Sequence, residues 1–161
     1  MRPTFPLFFR LCVVSLLGFL PTCTTLPLTG APGAVVRQKL GEPALIVQTP
    51  QGARWFYPSG PLGTTTHAMD VDAFHVVTSV QNVLTDDVIQ TIRAGLAADE
   101  VIAKIGPPHR RIRFANLGAT SWDYRYQDTW GYLVDLSIMI DDKNRVTGKV
   151  LQRLEQNDAS R

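Results

Sequence analysis

The sequence predicts an α+β protein built as two tandem small domains, each with one or two short helices packed on a three- or four-stranded antiparallel meander sheet. Three observations carry this expectation. Two short helical patterns end in the same way, "KLGEP" closing at Pro43 and "KIGPP" at Pro108. Each stop is followed by runs with strand alternation separated by turn residues. The whole order then recurs once along the chain. With 161 residues, 45% hydrophobic and 19% charged, the composition is globular and the length suits one ordinary domain or two small ones.

The first residues differ in kind from the rest. "MRPTFPLFFR" carries Arg2 and Arg10 without an acid, and Leu11 to Leu20 is a continuous apolar run. A bilayer span takes about 20 apolar residues, so this shorter run with its basic flank is expected to be a secretory signal over residues 1–22. Its removal leaves 14 basic against 14 acidic residues. The remainder is close to neutral, and the basic balance of the whole chain is therefore no nucleic-acid footprint. Cys12 leaves with the signal, so Cys23 has no internal disulfide partner. "LPTC" (Leu20 to Cys23) resembles the lipobox of bacterial lipoproteins, which implies that Cys23 is lipidated. Pro21 and Thr22 replace the usual small pair, and ordinary cleavage nearby with a free Cys23 thiol is the other reading. Cys23 and a flexible tether occupy 23–30, in a stretch rich in Thr, Pro and Gly that continues to Gly33.

The first repeat is expected over 31–83. Its helical pattern "GAVVRQKLGEP" is closed by Gly41, the left-handed cap residue, and by Pro43. Strand patterns follow at "ALIVQT", at the stretch holding Trp55 and Tyr57, at "TTTHAMDV" and at "HVVTSVQNVL". The second repeat is expected over 84–156 and opens with an additional helix, "TDDVIQTIRAG". Thr85 is its N-cap, and Asp86 and Asp87 lie where the helix dipole favours acids. "AADEVIAKIGPP" then stops at Gly106 and Pro108, and "HRRIRFA", "SWDYRY", "GYLVDLSIMI" and "RVTGKVLQRL" supply the strands. Residues 157–161 read as a disordered tail. Gly41 matches Gly106, Tyr57 matches Tyr124 and Val76 matches Val146 at offsets of 65, 67 and 70 residues. These offsets exceed solenoid periods and point to duplication of a small domain. Helices are expected on one face of each sheet. Alternation places Trp122, Tyr124 and Tyr126 inward with Tyr132, Val134, Leu136, Ile138 and Ile140, and leaves Asp123, Arg125 and Asp135 outward to pair across strands.

No motif carries catalytic chemistry. His67, His75 and His109 have no metal-ligand spacing and read as surface or turn histidines. Asp70 with Asp72, and Asp141 with Asp142, lack the alternating oxygen ligands of a calcium loop, and turn chemistry accounts for them. There is no nucleophile elbow and no phosphate-cradling glycine loop. The expectation is a protein that is not an enzyme, with no metal and no cofactor. The basic cluster His109 to Arg113 reads as a solvated strand face, or else as a surface for an acidic partner or anionic lipid headgroups.

"AGLAADEVIAKIGPP", "TSWDYRY" and "SIMIDDKNRVTGKV" together resemble the SmpA/OmlA (BamE-like) domain. That pattern is a helix with Gly-x-x-x-x-x-Val, then Leu-Gly-x-Pro, Trp-x-Tyr, and a last strand after an Asp-rich turn. Residues 94–152 carry all of it, while residues 31–81 carry Leu40, Gly41, Pro43, Trp55, Tyr57, Asp72 and Val76 but lack the opening glycine and one helix. The resemblance implies an outer-membrane lipoprotein facing the periplasm, an assignment that Thr24 after Cys23 supports by the usual sorting rule. It also implies an accessory role in β-barrel assembly, through contacts with envelope proteins and anionic lipid. Family members typically hold one such domain. Tandem helix-on-sheet domains also resemble the β-lactamase inhibitor protein, so a periplasmic inhibitor or ligand-binding module is the alternative. The motif residues Gly41, Pro43, Trp55, Tyr57, Gly106, Pro108, Trp122 and Tyr124 are expected to be structural, with rings in the core and phenols at a polar edge. The inhibitor alternative instead needs these aromatics exposed.

Overall fold

The computed structural model describes residues 28–154. The expected signal segment, Cys23 and the expected tail lie outside them. Helix α1 (Gly33–Leu40) precedes strands β1 (Leu45–Thr49), β2 (Gly52–Ser59), β3 (Thr65–Asp72) and β4 (Val77–Asn82). Helices α2 (Asp86–Gln90) and α3 (Ala98–Ile105) precede β5 (Arg110–Phe114), β6 (Ala119–Gln127), β7 (Leu133–Asp141) and β8 (Val146–Arg153). Each set of four strands forms its own antiparallel sheet in sequence order, and among the described residues no strand pairing joins the two. The protein is thus mixed α+β with two sheet units, and helix is the minor component.

Local chemistry explains the helix limits. Thr85 Oγ1 accepts from the Val88 N–H at the start of α2, with Asp86 and Asp87 in the first turn. In α3 the Glu100 carboxylate reaches back and accepts from the N–H of the cap residue Ala97 at 2.9 Å, one half of a capping box. Both α1 and α3 end at a glycine whose N–H bonds four residues back, Gly41 to Arg37 O and Gly106 to Ile102 O. The expected left-handed cap is not what forms: Gly41 has φ 82° and ψ −172°, and Gly106 has φ 79° and ψ −168°. A left-handed ψ would fold the chain back over the helix end, whereas this glycine-only conformation sends it straight into the first strand.

Alternation buries one face of each sheet. Val36 of α1 packs on Trp55, Tyr57, Met69, Val71 and Val77. In the second unit Leu84, Ile89, Ile92, Val101 and Ile105 pack on Tyr124, Tyr126, Val134, Leu136, Ile138, Ile140 and Val146. The register repeats as well, Trp55 opposite Met69 and Tyr57 opposite His67, then Trp122 opposite Ile138 and Tyr124 opposite Leu136.

Two expectations need correction. The pairing of Val76 with Val146 is off by one. Val77 and Val146 are the matching core residues, donating to Ala31 O at 3.0 Å and Leu96 O at 2.9 Å, while Val76 matches Arg145 at the turn. The misfit arose because both positions read as valine in a strand pattern. Helices also do not stay on one face of the first sheet. Its other face carries buried Phe56 and Ala68, and the end of α3 sits against it. The Arg54 guanidinium reaches Ala103 O, and a Cβ at Gly106 would lie 2.8 Å from the Phe56 ring. The units therefore pack in series, with α3 serving both sheets.

Candidate functional site

The repeated motif residues converge on one device. Tyr57 Oη donates to the carbonyl of Gly41 at 3.2 Å, and Tyr124 Oη donates to the carbonyl of Gly106 at 3.1 Å. The glycine stop and the Trp-x-Tyr strand are thus the two halves of one hydrogen bond that ties a helix end to the sheet centre. Burial pushes the Tyr124 phenol well above its ordinary pKa, so it remains a donor. Trp55 is buried with the Arg37 guanidinium 4.5 Å from its ring centroid, and Trp122 is half-buried under Arg111 at 4.6 Å. Gly33 is required by this packing, since a Cβ there would meet the Trp55 ring at 2.6 Å. Pro43 and Pro108 follow the stops. Trp55, Tyr57, Tyr124 and Tyr126 are all buried.

The aspartates divide between turns and ion pairs. Asp72 Oδ1 accepts from Phe74 N and Val76 N, Asp141 Oδ1 from Lys143 N and Arg145 N, and Asp128 Oδ1 from Trp130 N and Tyr132 N. The third residue after each aspartate has a left-handed backbone, His75 at φ 62°, Asn144 at φ 57° and Gly131 at φ 84°. One turn recipe is used three times. Asp70 instead pairs with Arg54 at 2.6 Å and Asp142 with Arg113 at 2.7 Å. His67 is half-buried and His75 is exposed on its turn, while His109 lines a cleft beside Asp123, Arg110 and Arg125, where burial holds its pKa below the ordinary value. Among the described residues no cluster of three His, Cys, Asp or Glu could hold a metal ion, and no helix is long and apolar enough to cross a membrane.

On the outer face of the second sheet, Arg125 makes a two-pronged bond to Asp135, at 2.6 and 2.9 Å. Asp123, expected to be solvated, is buried instead. Ser121 Oγ and Ser137 Oγ donate to its Oδ1 at 2.6 and 2.9 Å, and Arg110 covers Oδ2 at 2.9 Å. These three partners cover the carboxylate, and with Leu62 from the β2–β3 connection of the other unit it lines a cleft of about 400 Å³. Burial works to raise the Asp123 pKa, but the Ser121, Ser137 and Arg110 bonds outweigh it and hold the carboxyl below its usual range. A carboxylate so fully bonded is a poor general acid at neutral pH. The arrangement stiffens the sheet.

What sequence reasoning missed is an exposed strip along β8 and the β6–β7 turn. Trp130 is 80% exposed, Val150 62% and Leu151 47%. The turn beneath Trp130 is rigid. Asp86 accepts from Tyr126 Oη, Thr129 N and Thr129 Oγ1, and Arg153 bonds Asp128 at 2.6 Å while lying 4.5 Å over the Tyr132 ring. Thr129 N–H is the largest of the influences that hold the Asp86 pKa down. The signal was present in the sequence: adjacent Val150 and Leu151 break alternation, so one must point away from the core.

No family model matches the chain. No curated protein matches it either. Among solved structures, a DUF4309 family protein (YjgB) from Bacillus subtilis is similar at 12% identity and a TM-score of 0.30, covering 81% of this chain and 84% of the other.

Proposed function

We propose that the chain is a non-catalytic bacterial envelope lipoprotein of SmpA/OmlA (BamE-like) character. It is anchored through Cys23 in the outer membrane, faces the periplasm and binds other envelope proteins, with the β-barrel assembly machinery as the first candidate partner. One observation supports the binding reading above others. The repeated motifs are consumed by scaffold contacts, whereas Trp130 and Tyr132 of the β6–β7 turn, with Arg153 of β8 laid against that turn, stand exposed to solvent. Trp, Tyr and Arg dominate interface energetics, and a preorganised turn avoids the ordering cost of binding. The anchor reading rests on "LPTC" behind a basic and apolar leader, and several acyl chains hold a protein at a membrane where one is marginal.

Affinity purification of the full chain from detergent-solubilised membranes tests the reading. Reproducible recovery of defined envelope proteins is expected, and their loss on Trp130→Ala; recovery of none above background, with the anchor intact, refutes it. Labelled palmitate incorporation tests the anchor separately. Incorporation that persists in Cys23→Ala, or is absent from the native chain, removes Cys23 from the account.

A further inference from the structure

The free edge of β8 carries a more specific inference, resting on the protein-binding reading above. In the second sheet β8 pairs with β7 on one side only. Leu154 N donates to Leu133 O, which fixes the parity of the ladder: Val150 and Gln152 point their backbone groups at β7, and Lys149, Leu151 and Arg153 point theirs outward. Among the described residues nothing pairs with those outward groups. Long open edges of this kind are normally shielded by charge, by shortness or by a covering segment. The other edges of this protein are: β5 carries three arginines in five residues, and β1 has five residues in all. The comparison with β4 is sharper, because β4 is the matching edge of the first unit. Where β8 has Val150 and Leu151, β4 has Gln81 and Asn82, and there the chain leaves the sheet, with Asn82 Oδ1 accepting from Thr66 N and Leu84 N. At the same place β8 continues and exposes one aliphatic side chain on each face.

Charge is distributed unevenly along this edge. At its beginning Arg145 bonds Gly95 O and Lys149 bonds Ile89 O, and Arg93 lies near enough to depress the Lys149 pKa further after burial has lowered it. None of these three cations has a carboxylate partner among the described residues, although six other arginines do, Arg153 at the far end of β8 among them. At the far end stand Trp130, Tyr132 and Arg153, whose charge Asp128 meets.

We infer that the β8 edge is a strand-addition site for an extended segment of a partner protein, apolar in its first half and acidic in its second. Antiparallel addition puts the apolar half against Trp130, Tyr132 and Leu151 and the acids beside Lys149, Arg145 and Arg93. The outward N–H and C=O groups of Lys149, Leu151 and Arg153 supply the main-chain bonds, and the uneven charge selects direction.

The test uses the full chain in detergent and a blocked octapeptide, alternating valine and threonine in its first half and valine and glutamate in its second. Residue-resolved amide exchange is the readout. Saturating peptide is expected to slow exchange at Lys149, Leu151 and Arg153 at least tenfold and to leave Val150 and Gln152 unchanged. The peptide with its halves exchanged is expected to bind several-fold more weakly, and V150E/L151E to abolish the effect while circular dichroism stays native. No slowing, or equal slowing at odd and even positions, overturns the site. The same alternating pattern appearing with protein concentration alone identifies a second copy as occupant and overturns the acidic-segment assignment. The two levels of reading separate cleanly. Envelope proteins that still co-purify with V150E/L151E leave the binding function standing and remove this edge from it. Peptide binding without any co-purified protein does the reverse.

Discussion

Gly41 and Gly106 occupy matching positions with nearly the same backbone angles, yet their surroundings differ, and the difference separates two costs that are usually confounded. A Cβ at Gly41 meets nothing within 4 Å, whereas at Gly106 it meets the Phe56 ring at 2.8 Å and Thr66 Cγ2 at 3.3 Å. Both alanine substitutions pay for a positive φ with extended ψ, about 1–3 kcal/mol. Only Gly106→Ala adds overpacking, about another 1–3 kcal/mol. Urea unfolding of the two variants is expected to show Gly106→Ala as clearly the more damaging; equal losses would mean that the Phe56 contact is slack. Asp123 offers a second residue-level prediction. Its folded pKa is depressed, so its contribution to stability is complete above the ordinary carboxylate pKa of about 3.9 and is lost as pH falls through the folded value. Asp123→Asn is expected to cost about 1–3 kcal/mol at neutral pH through the orphaned Arg110 and serine donors. It should also flatten the acid limb of stability below the ordinary carboxylate pKa. An unchanged acid limb would assign that limb to the other carboxyls that their hydrogen bonds hold low, Asp70, Asp86 and Asp128.

At the scale of elements, the strands and turns were far more legible in the sequence than the surfaces. Alternation located all eight strands, and Gly-Pro stops located the ends of α1 and α3, because both signals are properties of contiguous residues. Asp72 and Asp141 were readable as turn residues for the same reason, and the two turns share every hydrogen bond. Asp72→Ala and Asp141→Ala are accordingly expected to lower stability by similar amounts, about 1–2 kcal/mol each, as measured by thermal unfolding; a gap above about 1 kcal/mol would show that flanking contacts, not the shared turn, set the cost. The burial of Asp123 was illegible, since its partners Arg110, Ser121 and Ser137 come from three strands and no local pattern records their convergence. The lone helix of the first unit is better understood after the fact. Ser59, Thr65 and His67 stand where the second unit has Tyr126, Val134 and Leu136. A sheet end that is polar there needs no counterpart of α2, whose Ile89, with Ile92 just beyond the helix, covers the apolar version. The exposed Trp130 and the β8 edge sat between these cases: Val150 beside Leu151 broke the pattern visibly, but only the strand order shows that β8 is an edge.

For the whole molecule, packing in series raises the question of what stops it. The face of the first sheet that receives the end of α3 is centred on Phe56, fully buried against Gly106. The matching face of the second sheet has Asp123 in the place of Phe56, flanked by Arg125 and Asp135 in the places of Pro58 and Thr66. Arrays of stacked units end on a polar outer face for solubility, and this chain has that arrangement: the bonded carboxylate presents no apolar seat for another helix end. The contrast yields a paired prediction. Phe56→Asp places an unpaired charge at the junction and is expected to unfold the first unit or to separate its transition from that of the second, seen as non-coincident fluorescence and circular dichroism transitions. Asp123→Phe removes the cap while copying the seat. The exposed end of α1, with Leu40 half-exposed beside Gly41, is the counterpart of the α3 end that fills that seat. A surface on one end complementary to a seat on the other makes a heterologous contact that does not close. Asp123→Phe is therefore expected to sediment as a concentration-dependent series of head-to-tail oligomers, reversed by Leu40→Asp in the same chain. A variant that stays monomeric and folded would show that the charge of Asp123 is not what blocks the seat.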